Sequence, residues 1–160
     1  MRSNEEVERA INRYSDTVYR VCFLYLKNES ETEDIFQEVF LKYALSSCTF
    51  ESEKHEKSWI IRVAVNGCKD FLKSFFRSKS VPLDSAKELP VNDSPKISDT
   101  LRAVLSLPKK YKDVIYLHYY EGYTADEIGK IIDKNKNTVY TLLSRGRKIL
   151  EKELGGNIDE

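Results

Sequence analysis

Tyr123 to Lys148, YTADEIGKIIDKNKNTVYTLLSRGRK, is the stretch that decides the fold, because it reads as two helices joined by a tight turn. Thr124 is followed three residues later by Glu127, a capping box in which each side chain takes up a free backbone N–H of the other. Ile128, Ile131 and Ile132 then recur at helical spacing and make one apolar face. Asp133-Lys134-Asn135-Lys136 breaks that pattern, and Asp and Asn suit a turn because their side chains compete for backbone hydrogen bonds. Asn137 is placed to cap a second helix. The buried face of that helix is Val139, Leu142, Leu143 and Ile149, with Leu150 beside it. No acidic residue lies between Lys134 and Leu150, whereas Lys134, Lys136, Arg145, Arg147 and Lys148 are cationic. A short helix, a turn and a basic second helix is the arrangement that lays one helix in a DNA major groove. The plainer reading is a helical hairpin with a solvated charged face.

Upstream of this stretch, Ile97, Leu101, Val104 and Leu105 predict a short helix, which Pro108 stops. Pro108 also suits the first turn of the next helix, which Val114, Ile115, Leu117 and His118 carry to Tyr120 with Gly122 as its C-cap. Downstream, Gly155-Gly156 ends the last helix. From Ser78 to about Ser98 the periodicity stops, and this segment holds three of the four prolines with few apolar residues, which predicts a flexible linker. Before it, Ser3 and Glu6 form a capping box for a helix through Val7, Ala10, Ile11, Tyr14, Val18, Val21, Cys22 and Tyr25, ending near Lys27-Asn28. Ser30 and Glu33 repeat the box for a second helix that buries Ile35, Phe36, Val39, Phe40 and Tyr43. Ser46 to Lys57 is polar and aperiodic, hence a loop, and Trp59 starts a third helix. That helix carries Trp59, Ile60, Val63, Ala64, Gly67, Phe71 and Phe75 on its apolar side, and Arg62, Asn66, Lys69, Asp70 and Lys73 on the other. Everything periodic is helical, so the expected fold is all-α: two small helical domains joined by a flexible linker, the C-terminal one containing the helix-turn-helix.

The chain has 160 residues, 41% of them hydrophobic, which is enough for packed cores. Its net charge is zero, but the charge is segregated. From Asn28 to Leu41 every charged residue is acidic: Glu29, Glu31, Glu33, Asp34 and Glu38. From Lys57 to Lys79 they are basic except Asp70. Such blocks imply more than one partner. Three cysteines, Cys22, Cys48 and Cys68, without CxxC spacing indicate neither a disulfide framework nor a zinc site, and Cys22 and Cys68 suit the core. The charged N-terminus lacks the apolar core of a signal peptide, and no run reaches membrane-spanning length, so a cytoplasmic protein without membrane insertion is expected. Catalytic chemistry is sparse: two histidines in separate domains, no Gly-rich phosphate loop, neither GxSxG nor HExxH. Asp34 and Glu38 stand one turn apart, but a lone acidic pair on a surface helix is more often a partner contact. No enzyme, cofactor or metal site is expected. Arg62, Asn66 and Lys69, near Trp59 and after Phe50, combine backbone-tracking cations with groups that stack on or pair with an exposed base, as single-stranded DNA binding requires.

Together these pieces resemble the sigma-70 family of bacterial RNA polymerase initiation factors, and most of all its small two-domain, extracytoplasmic-function type. EDIFQEVFLKYA (Glu33–Ala44) resembles the family's polymerase-binding helix, and WIIRVAVNGCKDFLKS (Trp59–Ser74) its promoter-melting helix. LSLPKKYKDVIYLHYYEGYTADEIGKII (Leu105–Ile132) resembles the start of its C-terminal domain. The resemblance implies a protein that binds core RNA polymerase and directs promoter-specific initiation. In it, residues 1–77 bind polymerase and open the minus-ten element, 78–97 link, and 98–160 read the minus-thirty-five element. It implies that Asp34, Gln37 and Glu38 dock on the coiled coil of the largest subunit, with the polymerase flap as a further contact. It implies Phe50, Trp59, Arg62, Asn66, Lys69 and Lys73 for minus-ten DNA. For minus-thirty-five DNA it implies Lys136, Asn137, Thr138, Tyr140, Thr141, Ser144, Arg145, Arg147 and Lys148. An anti-sigma protein that masks these surfaces is a further implied partner. The chain departs from the family at Asp133 and Lys134, where Gly and an apolar residue are usual, and at Asn137, where Gly is usual. It departs again at Tyr140-Thr141-Leu142 in place of Lys-Ser-Arg, and at Glu56 in place of an aromatic. Two missing cations predict weakened minus-thirty-five recognition. The alternative is a stand-alone helix-turn-helix regulator acting on duplex DNA without polymerase.

Overall fold

The computed structural model describes residues 1–78 and 97–153, which are all-α and contain no strand. The chain divides into two units, Met1–Ser94 and Pro95–Glu160. The linker expected over 78–97 lies outside the described residues apart from Ser78 and Ile97, and so does the end expected at Gly155-Gly156.

In the first unit, α1 (Asn4–Leu26) opens on the capping box expected of Ser3 and Glu6, and ends at Lys27 in the left-handed conformation, φ 51. That reversal delivers Asn28 in extended conformation, φ −142, where its side chain accepts from the Glu31 N–H and starts α2 (Glu29–Leu45). Asn28 is therefore the cap, and the expected Ser30–Glu33 box lies inside the first turn, because the turn consumes a single residue. Helix α3 (Glu53–Ser78) begins six residues before Trp59. Ser52 caps it through the His55 N–H at 3.1 Å. The loop is thus only residues 46–52, and the second half of the expected loop is helix with a polar, solvent-facing first turn. The three helices pack on one another around Val18, Cys22, Phe23, Val39, Ile61, Ala64 and Cys68. Each large apolar side chain removed from water there contributes about 1.5–3 kcal/mol. The phase of α3 differs from the expected one: Ile61, Val65, Leu72 and Phe76 are buried, whereas Trp59, Val63, Phe71 and Phe75 are half-buried. Contact with both α1 and α2 widens the buried arc beyond a single stripe and moves its centre.

In the second unit, Ser98 caps α4 (Asp99–Leu105) and Pro108 occupies the N-cap position of α5 (Lys109–Ile115), one residue before its first turn. A π-helical turn, Tyr116–Tyr120, continues α5, a feature no periodicity announced. It ends with Glu121 as C-cap and Gly122 just beyond it at φ 81, the left-handed position that favours glycine. Thr124 and Glu127 form the expected capping box of α6 (Ala125–Ile132). Asp133 turns the chain at φ 59 into α7 (Lys136–Glu153). The cap of α7 is Asn135, whose side chain accepts from the Asn137 N–H at 2.8 Å, so Asn137 belongs to the first turn. Val139, Gly146 and Leu150 form the buried line of α7, and Leu142, Leu143 and Ile149 are half-buried beside it. Gly146 permits this packing: a Cβ there would stand 2.9 Å from Cγ1 of the fully buried Ile115 on α5.

Candidate functional site

Three faces carry the candidate residues. On α2 the buried side is Ile35, Val39, Phe40 and Tyr43, and Asp34, Gln37 and Glu38 are exposed on the opposite side. Their i, i+3, i+4 spacing makes them neighbours on one surface. Leu41 and Leu45 extend the row toward the C-terminal end of α2 and are 59% and 62% exposed. Sequence reasoning missed both leucines. Their seven-residue spacing from Asp34 and Glu38 is the signal that places them on the acidic face.

The second face combines the 46–52 loop with α3. Trp59, Arg62, Asn66, Lys69 and Lys73 recur at i+3 and i+4, and therefore form one stripe along the helix. Arg62, Asn66 and Lys73 are exposed; Trp59 and Lys69 are half-buried. Phe50 does not project freely. Its ring stacks on Tyr43 at 6.5 Å, meets His55 edge-on at 5.4 Å and lies 5.6 Å from Trp59. The fold thus joins Phe50 and Trp59 in one aromatic cluster at the head of the cationic stripe.

Glu56 ties Tyr43 of the cluster to α1. Its carboxylate accepts from the Tyr14 hydroxyl at 2.9 Å and from the Tyr43 hydroxyl at 2.7 Å, joining α1, α2 and α3. Burial of the phenol, and then the Glu56 carboxylate beside it, push the Tyr43 pKa up to about 12, and the same causes raise that of Tyr14. Glu56, expected from the resemblance to depart from an aromatic residue, is held here by two phenols. Tyr14, Tyr43, Glu56 and Arg2 were missed as site-supporting residues, because their contacts span 13 to 46 positions of sequence.

The third face is the outer side of α7. Asn137, Thr141, Ser144 and Lys148 fall on one helical line, with Tyr140 and Arg145 flanking it, and all are exposed. Lys136 and Thr138 are exposed in the first turn, and the Lys136 ammonium stands 5.8 Å from the centre of the Tyr140 ring. Arg147 is half-buried and turned toward Glu151, with Nε donating at 2.9 Å, so it sits at the margin of this face. Lys134 is exposed, and its N–H closes the turn on the Gly129 carbonyl at 2.8 Å. A Cβ on Gly129 would lie 2.5 Å from the Lys134 carbonyl oxygen, so the turn requires glycine there. Among the described residues no group of three or more His, Cys, Asp or Glu side chains could hold a metal ion, and no helix is long and apolar enough to cross a membrane.

Comparison with known proteins assigns both units. Residues 10–75 match the family model for Sigma-70 region 2, and residues 98–150 match that for Sigma-70, region 4. The chain is 33% identical over 147 residues to RNA polymerase sigma factor SigV of Bacillus subtilis, covering 90% of this chain and 88% of that protein. It is 28% identical over 161 residues to the ECF RNA polymerase sigma factor SigW of the same organism, covering 90% and 86%. Among solved structures it is similar in fold to the sigma factor RpoE in complex with the anti-sigma factor NepR from Bartonella quintana, at a TM-score of 0.74 and 18% identity over 96% of this chain and 99% of that one. It is also similar in fold to CnrH in complex with the cytosolic domain of CnrY, at a TM-score of 0.66 and 16% identity over 98% and 92%.

Proposed function

The chain belongs to the sigma-70 family of RNA polymerase initiation factors, in its extracytoplasmic-function type, and from that membership we propose how its three faces share the work of starting transcription. As a sigma factor it binds core polymerase and directs promoter-specific initiation; sigma factors are not enzymes, and we infer that this one catalyses nothing. Residues 1–77 bind polymerase and open the minus-ten element, 98–160 read the minus-thirty-five element, and 78–97 connect them. Asp34, Gln37 and Glu38 dock on a basic coiled coil of the largest subunit, with Leu41 and Leu45 adding an apolar end to the contact. The stripe from Trp59 to Lys73 holds the unpaired strand, and the 46–52 loop takes the base extruded from it. The line from Asn137 to Lys148 lies in the major groove. The sigma factor RpoE, solved with the anti-sigma factor NepR, shares this fold, and a protein of that class covering the α2 row is the proposed negative regulator.

The observation that carries this reading is the acidic row on α2, which faces away from the core that the same helix builds. Charge complementarity sets on-rate and register, and like charges set face to face cost several kcal/mol. Run-off transcription with purified core polymerase and genomic promoter fragments tests it. Wild type binds core and starts transcripts; Asp34→Arg/Glu38→Arg loses core affinity by about tenfold or more. Intact core binding in the double reversal would remove that role from the acidic row. A regulator acting without polymerase would instead shift duplex DNA equally well with and without core.

A further inference from the structure

The 46–52 loop joins α2 to α3 and belongs to no regular element, so its backbone groups need partners from outside the loop or from its own turns. Its ends are locally tied. The Cys48 N–H donates to Ser46 Oγ at 3.0 Å, and the Glu51 N–H donates to His55 Nδ1 at 3.1 Å. Its middle is held by a residue from the far end of the unit. Arg2, with 11% of its side chain exposed, donates from Nε to the Tyr43 carbonyl at 3.0 Å and from its terminal nitrogen to the Cys48 carbonyl. The Arg2 backbone N–H donates to the Ala44 carbonyl at 2.9 Å. The guanidinium carbon lies 4.3 Å from the centre of the Tyr43 ring and 5.2 Å from that of Phe50. Tyr43 and Ala44 sit in the last turn of α2, where carbonyls look outside the regular helix for partners, and the Tyr43 carbonyl also accepts from the Ser46 N–H at 3.2 Å. Arg2 therefore caps α2, covers the aromatic cluster and pins the loop with one planar fork, leaving Ser47, Cys48 and Thr49 facing solvent.

We infer that Arg2 is a positioning residue for promoter opening: it holds the loop, before DNA arrives, in the shape that receives the extruded base. The inference rests on the reading of that loop given under Proposed function. Extruding a base costs unstacking energy, and a receptor that is already ordered loses less on capture than one that must be ordered by it.

The test uses holoenzyme and a promoter fragment that wild-type holoenzyme selects from genomic DNA, offered as duplex and as a template pre-opened by mismatches across the minus-ten element. Arg2→Ala should bind core within about twofold of wild type and open the duplex roughly tenfold more slowly, with transcription regained on the pre-opened template. Trp59, the single tryptophan, stands against Phe50 and reports the loop directly: acrylamide should quench it more readily in the variant at a temperature where circular dichroism still shows the helices fully formed. Arg2→Lys keeps the charge but loses the fork, and should show the same selective deficit if Arg2→Ala fails to fold. Wild-type opening in both variants overturns the inference. So does an equal deficit on both templates, or a parallel loss of core binding, since either would make Arg2 a general prop of the unit. If wild-type holoenzyme binds core yet cannot open the duplex, the minus-ten reading itself fails and takes this inference with it.

Discussion

Glu56 shows how one residue can serve a fold and give it a measurable signature. Its carboxylate accepts from two buried phenols on two other helices, so replacing it leaves both hydroxyls short of their charged acceptor. Glu56→Leu should cost about 1–3 kcal/mol in urea unfolding, and Glu56→Gln less, because an amide oxygen still accepts. The pH dependence has a definite sign. The Tyr43 pKa rises from the model-compound value of 10.0 to about 12 in the folded chain, and that of Tyr14 rises also. The native state then holds phenolic protons that the unfolded chain has released. The stabilisation is complete below pH 10 and is lost as pH climbs through about 12. Unfolding titrations of wild type should show that alkaline fall, and Glu56→Gln should make it shallower while burial of the phenols keeps part of it; an unchanged slope would remove Glu56 as a cause. Asp133 is a second informative residue. It holds the left-handed turn at φ 59, and Asp tolerates this region better than most side chains. The sequence already marked Asp133 as a turn residue, and the structure shows the left-handed conformation it adopts there.

At the scale of elements, the helix-turn-helix depends on two glycines with different duties. Gly129 lets the turn fold over α6, and Gly146 lets α7 approach α5. Gly146→Ala should destabilise the chain by about 1–3 kcal/mol, as overpacking does, and should couple with Ile115→Ala in a double-mutant cycle. Additive costs would show that the two residues do not compete for the same space. Gly129→Ala meets backbone rather than a side chain and should cost more, with melting temperature as the readout. On the outer face of α7, Arg145→Ala should abolish minus-thirty-five-dependent transcription while core binding is retained. Lys148→Ala should weaken promoters about equally and lower the salt slope of binding by about 1. Element existence was legible in the sequence for every described helix with a capping box or a clear apolar repeat. Element starts were less so: Asn28, Ser52 and Asn135 cap helices that spacing alone began elsewhere. Several Ser, Asn and Asp residues near each boundary can cap, and the chosen one depends on where the preceding turn delivers the backbone.

At the scale of the whole molecule, charge segregation says more than the zero net charge. The acidic row lies in the first unit and the exposed line from Asn137 to Lys148 in the second. Effects at independent sites add. Adding Arg145→Ala to Asp34→Arg/Glu38→Arg should leave core affinity within about 0.5 kcal/mol of the double reversal alone, measured by competition for purified core. A larger change would show that the second unit contributes to core binding in solution.

The helical character, the two-part organisation and the charge pattern of the three faces are legible in the chain alone. Apolar periodicity and charge blocks are local properties, and a helix displays them whatever it packs against. Only the tertiary structure decided which face of α3 is buried, where the loop ends, and what holds it. Ile61 displaces Trp59 from the core because α1 and α2 both press on α3. Phe50 is an anchor in a cluster and not a free stacking arm, and Arg2, Tyr14 and Glu56 meet at Tyr43 and its hydrogen bonds from separate segments. Contacts closed over so many residues leave no periodic trace in the chain, since packing selects them only after the helices exist.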